Sequence, residues 1–118
     1  MENIAKTPDP PYYAVVFTSL RTSAGADAYA RAAERMIELA QTQPGYLGYE
    51  SARDADGLGI TVSYWADESS IKNWKQNAEH LRVQGNGRKS WYAQYQTRVC
   101  KVERAYGFTK VDAAEPAE

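Results

Sequence analysis

With 118 residues, 43% apolar and 25% charged, the chain has the size and balance of one globular domain with a core of its own. A formal charge of −1, with Lys and Arg scattered among Asp and Glu, argues against nucleic acid as a partner. No apolar run approaches the ~20 residues that span a bilayer, and the N-terminus lacks the apolar core of a signal peptide. One cysteine, Cys100, can form no intrachain disulfide, so a cytoplasmic protein with no membrane partner is expected.

Residues 1–11 end in Pro8-Asp9-Pro10-Pro11, which resists helix and central strand alike, and read as a flexible arm. Residues 12–108 read as the domain, and 109–118 as a loose acidic tail. The run Tyr12–Leu20 is β-branched and aromatic, with Tyr13, Val15 and Phe17 on one face and Ala14, Val16 and Leu20 on the other. A strand apolar on both faces belongs in the middle of a covered sheet. Thr22 or Ser23 is the expected N-cap of a helix reaching about Thr42, whose buried stripe is Tyr29, Ala33, Met36, Ile37 and Ala40. Gln43-Pro44-Gly45 stops it.

Tyr46–Arg53 and Leu58–Trp65 then read as a hairpin closed by Asp54-Ala55-Asp56-Gly57, because Asp-Gly supplies the positive φ of a tight loop. Leu58, Ile60, Val62 and Tyr64 share a face, and Trp65 points to the other. Asp67 caps a second helix with the stripe Ile71, Trp74, Ala78 and Leu81, broken by Gly85-Asn86-Gly87. Arg88–Tyr92 reads as a short helical turn and Gln94–Tyr106 as a long last strand. Cys100, between Val99 and Val102, is expected to be partly buried and unreactive.

The order β-α-β-β-α-β predicts an α+β, ferredoxin-like fold: one four-stranded antiparallel sheet with both helices on one face. Two helices cover one face only, while the first strand is apolar on both. A second copy, packed sheet against sheet, is the economical cover, and a homodimer is expected.

The segments QPGYLGYES (Gln43–Ser51), ITVSYWADESSIKNWK (Ile60–Lys75), Glu79-His80, GRKSWY (Gly87–Tyr92) and KVERAY (Lys101–Tyr106) resemble the antibiotic biosynthesis monooxygenase domain family. The resemblance covers nearly all of Tyr13–Phe108 and is most distinctive where Tyr64-Trp65 leads into a helix carrying Trp74. It implies a dimeric α+β barrel whose last strand crosses to the partner, with Arg98, Lys101, Glu103 and Arg104 available to pair across the seam. Among the activities it implies is that of an oxygenase that uses no cofactor. Such oxygenases bind a phenol or quinol in an aromatic pocket, and the substrate supplies the electrons that dioxygen needs. Other members degrade heme. That pattern has an Asn in the first strand and a His near the end of the second helix, where this chain has Phe17-Thr18-Ser19 and Gln84. Others have no known activity, so a non-catalytic dimeric small-molecule-binding or stress-related module is the first alternative, and a heme-binding or heme-degrading protein the second.

One His and one Cys form no metal-ligand constellation, Gly85-Asn86-Gly87 follows a helix rather than a strand, and GxSxG is absent. The catalytic candidates are His80, Trp74 and Arg88. If the helix stays regular, His80 lies about 140° from the centre of its apolar stripe and faces solvent. If the helix ends near Ala78, His80 can turn inward as base or donor. Trp74 suits core packing as well as a pocket wall. Arg88 could favour an anion. Trp65, Trp91, Tyr92, Tyr64 and Tyr49 are the candidates to bind an aromatic small molecule, though Trp91 and Tyr92 would serve equally to pack a short helix on the sheet. The pocket is expected between the sheet and the second helix, near Trp74, His80, Arg88 and Trp91.

Overall fold

The computed structural model describes residues 4–84 and 91–110, and of 79–84 only the backbone. Its elements are β1 (Tyr12–Arg21), α1 (Ala26–Gln41), β2 (Tyr46–Arg53), β3 (Leu58–Trp65), α2 (Glu68–Gln84) and β4 (Tyr92–Val102). The strands pair antiparallel in the order β2-β3-β1-β4, so β1 and β3 are central, as a ferredoxin-like fold requires.

Local chemistry accounts for most of the boundaries. At the hairpin, the Asp54 carboxylate accepts the backbone N–H groups of Asp56 and Leu58 at 2.9 and 3.1 Å, and Gly57 takes φ 98°. At the start of α2, Asp67 Oδ1 accepts both the backbone N–H and the hydroxyl of Ser70, at 2.8 and 2.9 Å. These bonds, the backbone one first, hold the Asp67 carboxyl below its usual range. Their contribution to stability is present above that range and is lost as pH falls through the lowered value.

Helix α1 departs from expectation. Neither Thr22 nor Ser23 caps it: the helix starts after Gly25 and has no side-chain cap. The Thr22 hydroxyl instead accepts the Ala24 N–H at 3.2 Å, a local turn that competes with the helix. Strand β4 also differs, beginning at Tyr92 and ending at Val102 rather than running from Gln94 to Tyr106. Val102 pairs with Tyr12, the first residue of β1, and past that point no neighbouring strand offers hydrogen bonds. Tyr92 is therefore strand rather than helical turn; residues 85–90 lie outside the described residues.

On the helix side the core centres on Ala40, Trp65 and Ile71, with Tyr13, Val15, Tyr46 and Trp74 packed against them. Trp65 is 0% exposed. It stacks on Trp74 at 5.9 Å and 25°, meets the Tyr46 ring edge at 5.6 Å, and donates its indole N–H to Ser63 Oγ at 2.8 Å. Every polar and apolar need of this large side chain is thereby met.

The other face of the sheet is only partly covered. The N-terminal arm, expected to be free, is tied to it: the Ala5 N–H donates to Glu50 Oε2 at 3.0 Å and the Thr7 hydroxyl to Tyr12 Oη at 2.9 Å. Tyr12 and Ala14 are buried there, while Leu20, Leu58 and Ile60 remain 38%, 48% and 46% exposed. Cys100, paired with Ala14 on this face, is exposed, which corrects the expectation of a partly buried thiol. Its neighbours Val99 and Val102 do not shield it, because β4 is an edge strand. Residues 103–110, the described part of the chain beyond β4, have no regular structure, and Tyr106 and Phe108 are 96% and 88% exposed.

Tyr64 belongs to this second face. Its hydroxyl donates to Glu50 Oε1 at 2.6 Å and its ring stands edge-on to Tyr12 at 5.9 Å. Burial, then the bond to Glu50 and that carboxylate's charge, push its pKa up from the ordinary phenol value. The folded protein keeps this proton where the unfolded chain loses it. The contribution to stability is thus complete below about pH 10 and declines as pH rises toward the raised value. In a phenolate absorbance titration of the folded protein, Tyr64→Phe should lose no step near pH ~10. A missing step there would show that Tyr64 titrates as an ordinary phenol.

Candidate functional site

Strand register builds the floor of the site. Across β2-β3-β1-β4, the helix-facing residues form one row of Tyr49, Ser63, Val15 and Val99 and a next row of Ser51, Thr61, Phe17 and Thr97. All eight line a cavity of about 570 Å³ between sheet and helices. Such a volume lies within the range of small-molecule pockets. Its roof comes from Tyr29, Ala32, Ala33, Met36, Ile37 and Ala40 of α1 and from Ile71, Trp74, Lys75 and Ala78 of α2. The physical cause is side-chain size. Alanines on both helices oppose serines and threonines on the floor, and neither layer fills the space that Leu or Phe would occupy.

Two bulges bring extra aromatics to the same side. The β2–β3 register shifts between Tyr46 and Gly48, and the β1–β4 register shifts between Leu20 and Arg21. Each inserts one residue, so Tyr46 and Tyr49, and likewise Tyr92 and Tyr95, share a face although they lie three apart. Phe17 packs against Tyr92 and Tyr95, at 5.7 and 5.3 Å between centroids, and Tyr29 meets Trp91 and Tyr92 edge-on, both at 5.9 Å. Burial, and then neighbouring Tyr49, raise the pKa of Tyr46, so it stays a neutral hydroxyl.

The polar content is neutral and oxygen-rich. Ser51 and Thr61 hydroxyls are hydrogen-bonded at 2.8 Å. Lys75 is the one formally charged side chain among the described lining residues, which include no His, Asp or Glu. Among the described residues no three His, Cys, Asp or Glu gather as metal ligands, and no helix is long and apolar enough to cross a membrane. The arrangement suits a flat, apolar ring system bearing a few oxygen substituents.

Of the sequence candidates, Trp74, Trp91, Tyr92 and Tyr49 line the cavity together. Trp65 lies behind Trp74 as core, and does not line it. Tyr64 is on the opposite face of the sheet, bonded to Glu50, because alternation places it with Val62 and Ile60. His80 sits in α2 with its side chain outside the described residues, and Arg88 lies outside them altogether. The cavity is not confined to α2 as expected, since α1 supplies six of its lining residues. Tyr29, Met36 and the hydroxyl rows were thus missed as site residues. The signal for them was the run of small residues on the buried stripe of α1, which reads as core packing unless the opposing floor is also small.

Residues 12–86 match the pattern of the antibiotic biosynthesis monooxygenase family. The chain belongs to that family. A Bacillus subtilis protein, YqjZ, is 50% identical over 104 residues, which cover 88% of this chain and 90% of YqjZ. Among solved structures, SnoaB, a cofactor-independent oxygenase from Streptomyces nogalater, matches with a TM-score of 0.66 at 11% identity, over 81% of this chain and 97% of its own. A protein from Shewanella oneidensis matches with a TM-score of 0.67 at 12% identity, over 86% of this chain and 100% of its own. At such identities the structural likenesses show the family's fold, which agrees with the strand order described above.

Proposed function

We propose that this member of the antibiotic biosynthesis monooxygenase family oxygenates a hydroxylated aromatic compound, a phenol or quinol, within the cavity, with no cofactor. The observation that carries the reading is the cavity itself, of about 570 Å³, walled by Phe17, Trp74, Trp91, Tyr92 and Tyr95 over a floor of hydroxyls. SnoaB, which shares the fold, is described as a cofactor-independent oxygenase. In this chemistry the substrate provides both electrons. One oxygen atom enters the ring system as a carbonyl, and the other leaves as water with two protons from the substrate. The protein's share is to hold the ring by its faces, exclude water, and place donors where negative charge gathers on the substrate oxygen.

The test is oxygen uptake with a panel of hydroquinones and polycyclic phenols, with chelator present and autoxidation subtracted. Uptake should persist with chelator, and Trp74→Ala should slow it on the order of tenfold or more by loosening the ring's position. A second reading, a binding module without catalysis, draws on the lack of any carboxylate or imidazole among the described lining residues. Ligand binding without uptake above background would favour it.

The dimer is part of the same proposal. Leu20, Leu58 and Ile60 leave an apolar surface on the face away from the helices, and the aromatic tail residues Tyr106 and Phe108 have no cover of their own. A second copy satisfies both, with face against face and tail across the seam.

A further inference from the structure

We propose that Tyr29 is the hydrogen-bond donor that recognises an oxygen substituent of the aromatic ligand, and that Arg53 positions and polarises it. The inference rests on the cavity being the ligand site. Tyr29 lines it, with its ring set edge-on to Trp91 and Tyr92. The Tyr29 hydroxyl oxygen accepts a hydrogen bond from Arg53 Nη2 at 3.2 Å. Among the described residues the phenol's own proton has no acceptor. A phenol whose oxygen receives a cationic donor is a stronger donor through its remaining proton.

The arrangement is built rather than incidental. Arg53 begins on β2 and must cross β3 to reach Tyr29. It does so over Gly59, where an added Cβ would stand 2.6 Å from the Arg53 guanidinium carbon. Gly59 leaves room for the guanidinium at a place where a Cβ would force it to shift. Past it, Arg53 Nη2 also donates to Ser19 Oγ at 2.8 Å, and Ser19 is only 2% exposed. Nη1 donates to the Gly57 carbonyl. These anchors fix the guanidinium from both sides of β3.

A second cation acts on the same ring. The Arg21 guanidinium lies 3.8 Å from the Tyr29 ring centroid, held by bonds to the carbonyls of Trp91 at 3.0 Å and Ala24 at 3.1 Å. Among the described residues neither arginine forms an ion pair with a carboxylate. Two cations at one phenol make this end of the cavity favour oxygen that carries negative charge. The ligand class is therefore a fused aromatic ring bearing an acidic hydroxyl, bound as phenol or phenolate with that oxygen toward Tyr29.

Calorimetric titration of the full chain with 1-naphthol and with naphthalene, which keeps the ring and lacks the oxygen that Tyr29 would recognise, tests this. The native protein should prefer the naphthol about tenfold, and Tyr29→Phe should bring the ratio near one. Arg53→Gln should shrink the preference about threefold and Arg53→Lys should restore most of it, which a clamp that merely joins hairpin to helix would not do. A ratio that stays unchanged in folded Tyr29→Phe overturns the proposal, as does a ratio unchanged in Arg53→Gln. Equal binding of both probes to the native protein overturns this proposal but leaves the aromatic pocket standing. Failure of both probes to bind overturns the pocket reading and this one with it.

Discussion

Trp65→Ala should be the most destabilising single substitution in the described chain, costing about 3–5 kcal/mol, within reach of the whole stability of a domain this size. Trp65 is 0% exposed, stacks on Trp74, touches Tyr46, and satisfies its indole N–H on Ser63. Alanine leaves a void at the junction of both helices with β3, and Trp74 loses the surface that fixes its ring. Trp65→Phe should cost less, because a ring still stacks on Trp74 and only part of the filled volume goes with the bond to Ser63. Urea denaturation followed by circular dichroism measures both. A loss below ~1 kcal/mol for Trp65→Ala would mean that the site collapses without penalty and that Trp65 does not anchor the core. The effect on a ligand follows from the packing: the wall formed by Trp74 stands only as firmly as Trp65 behind it.

The second large effect is on assembly. With Leu58 and Ile60 both replaced by Glu, a dimer packed through the uncovered sheet face should fall apart. Obligate interfaces of this kind bury on the order of 2,000 Å² or more, and two unpaired carboxylates placed inside one cost several kcal/mol each. Dimer affinity should drop by at least about a thousandfold. Leu58 and Ile60 are 48% and 46% exposed in the protomer, so the substitutions leave its own core untouched. Sedimentation reads the change in mass, and Cys100 supplies an independent measure. Exposed in the protomer on that same face, its thiol should react slowly with a labelling reagent in the native protein and quickly in the double variant. A native protein that sediments as a compact folded monomer at nanomolar concentration would overturn the dimer, and so would a double variant that keeps the native mass.

The sequence by itself determined the element order, the hairpin and its Gly57 turn, the Asp67 cap, and the opposite facing of Trp65 and Tyr64. All of these depend on neighbours a few residues apart, through periodicity of side-chain direction and local hydrogen bonds. It offered Trp65, Trp91, Tyr92, Tyr64 and Tyr49 as ring binders with Trp74 beside them, of which Trp65 and Tyr64 do not line the cavity. It pointed also to a family that the match over residues 12–86 bears out. Tertiary structure alone decided which aromatic side chains meet. Strict alternation would send Tyr46 and Tyr49, or Tyr92 and Tyr95, to opposite faces, and only the bulges, set by pairing with β3 and β1, bring each pair to the cavity side. The cavity itself is likewise invisible along the chain. The stripe Tyr29, Ala33, Met36, Ile37 and Ala40 has the periodicity of a packed core, and it becomes a wall because Ser51, Thr61, Ser63 and Thr97 stand opposite and are too small to reach it. Nor could spacing reveal that Arg53 reaches Tyr29 across 24 positions of sequence, because that contact is made in space, over the room that Gly59 leaves on the strand between them.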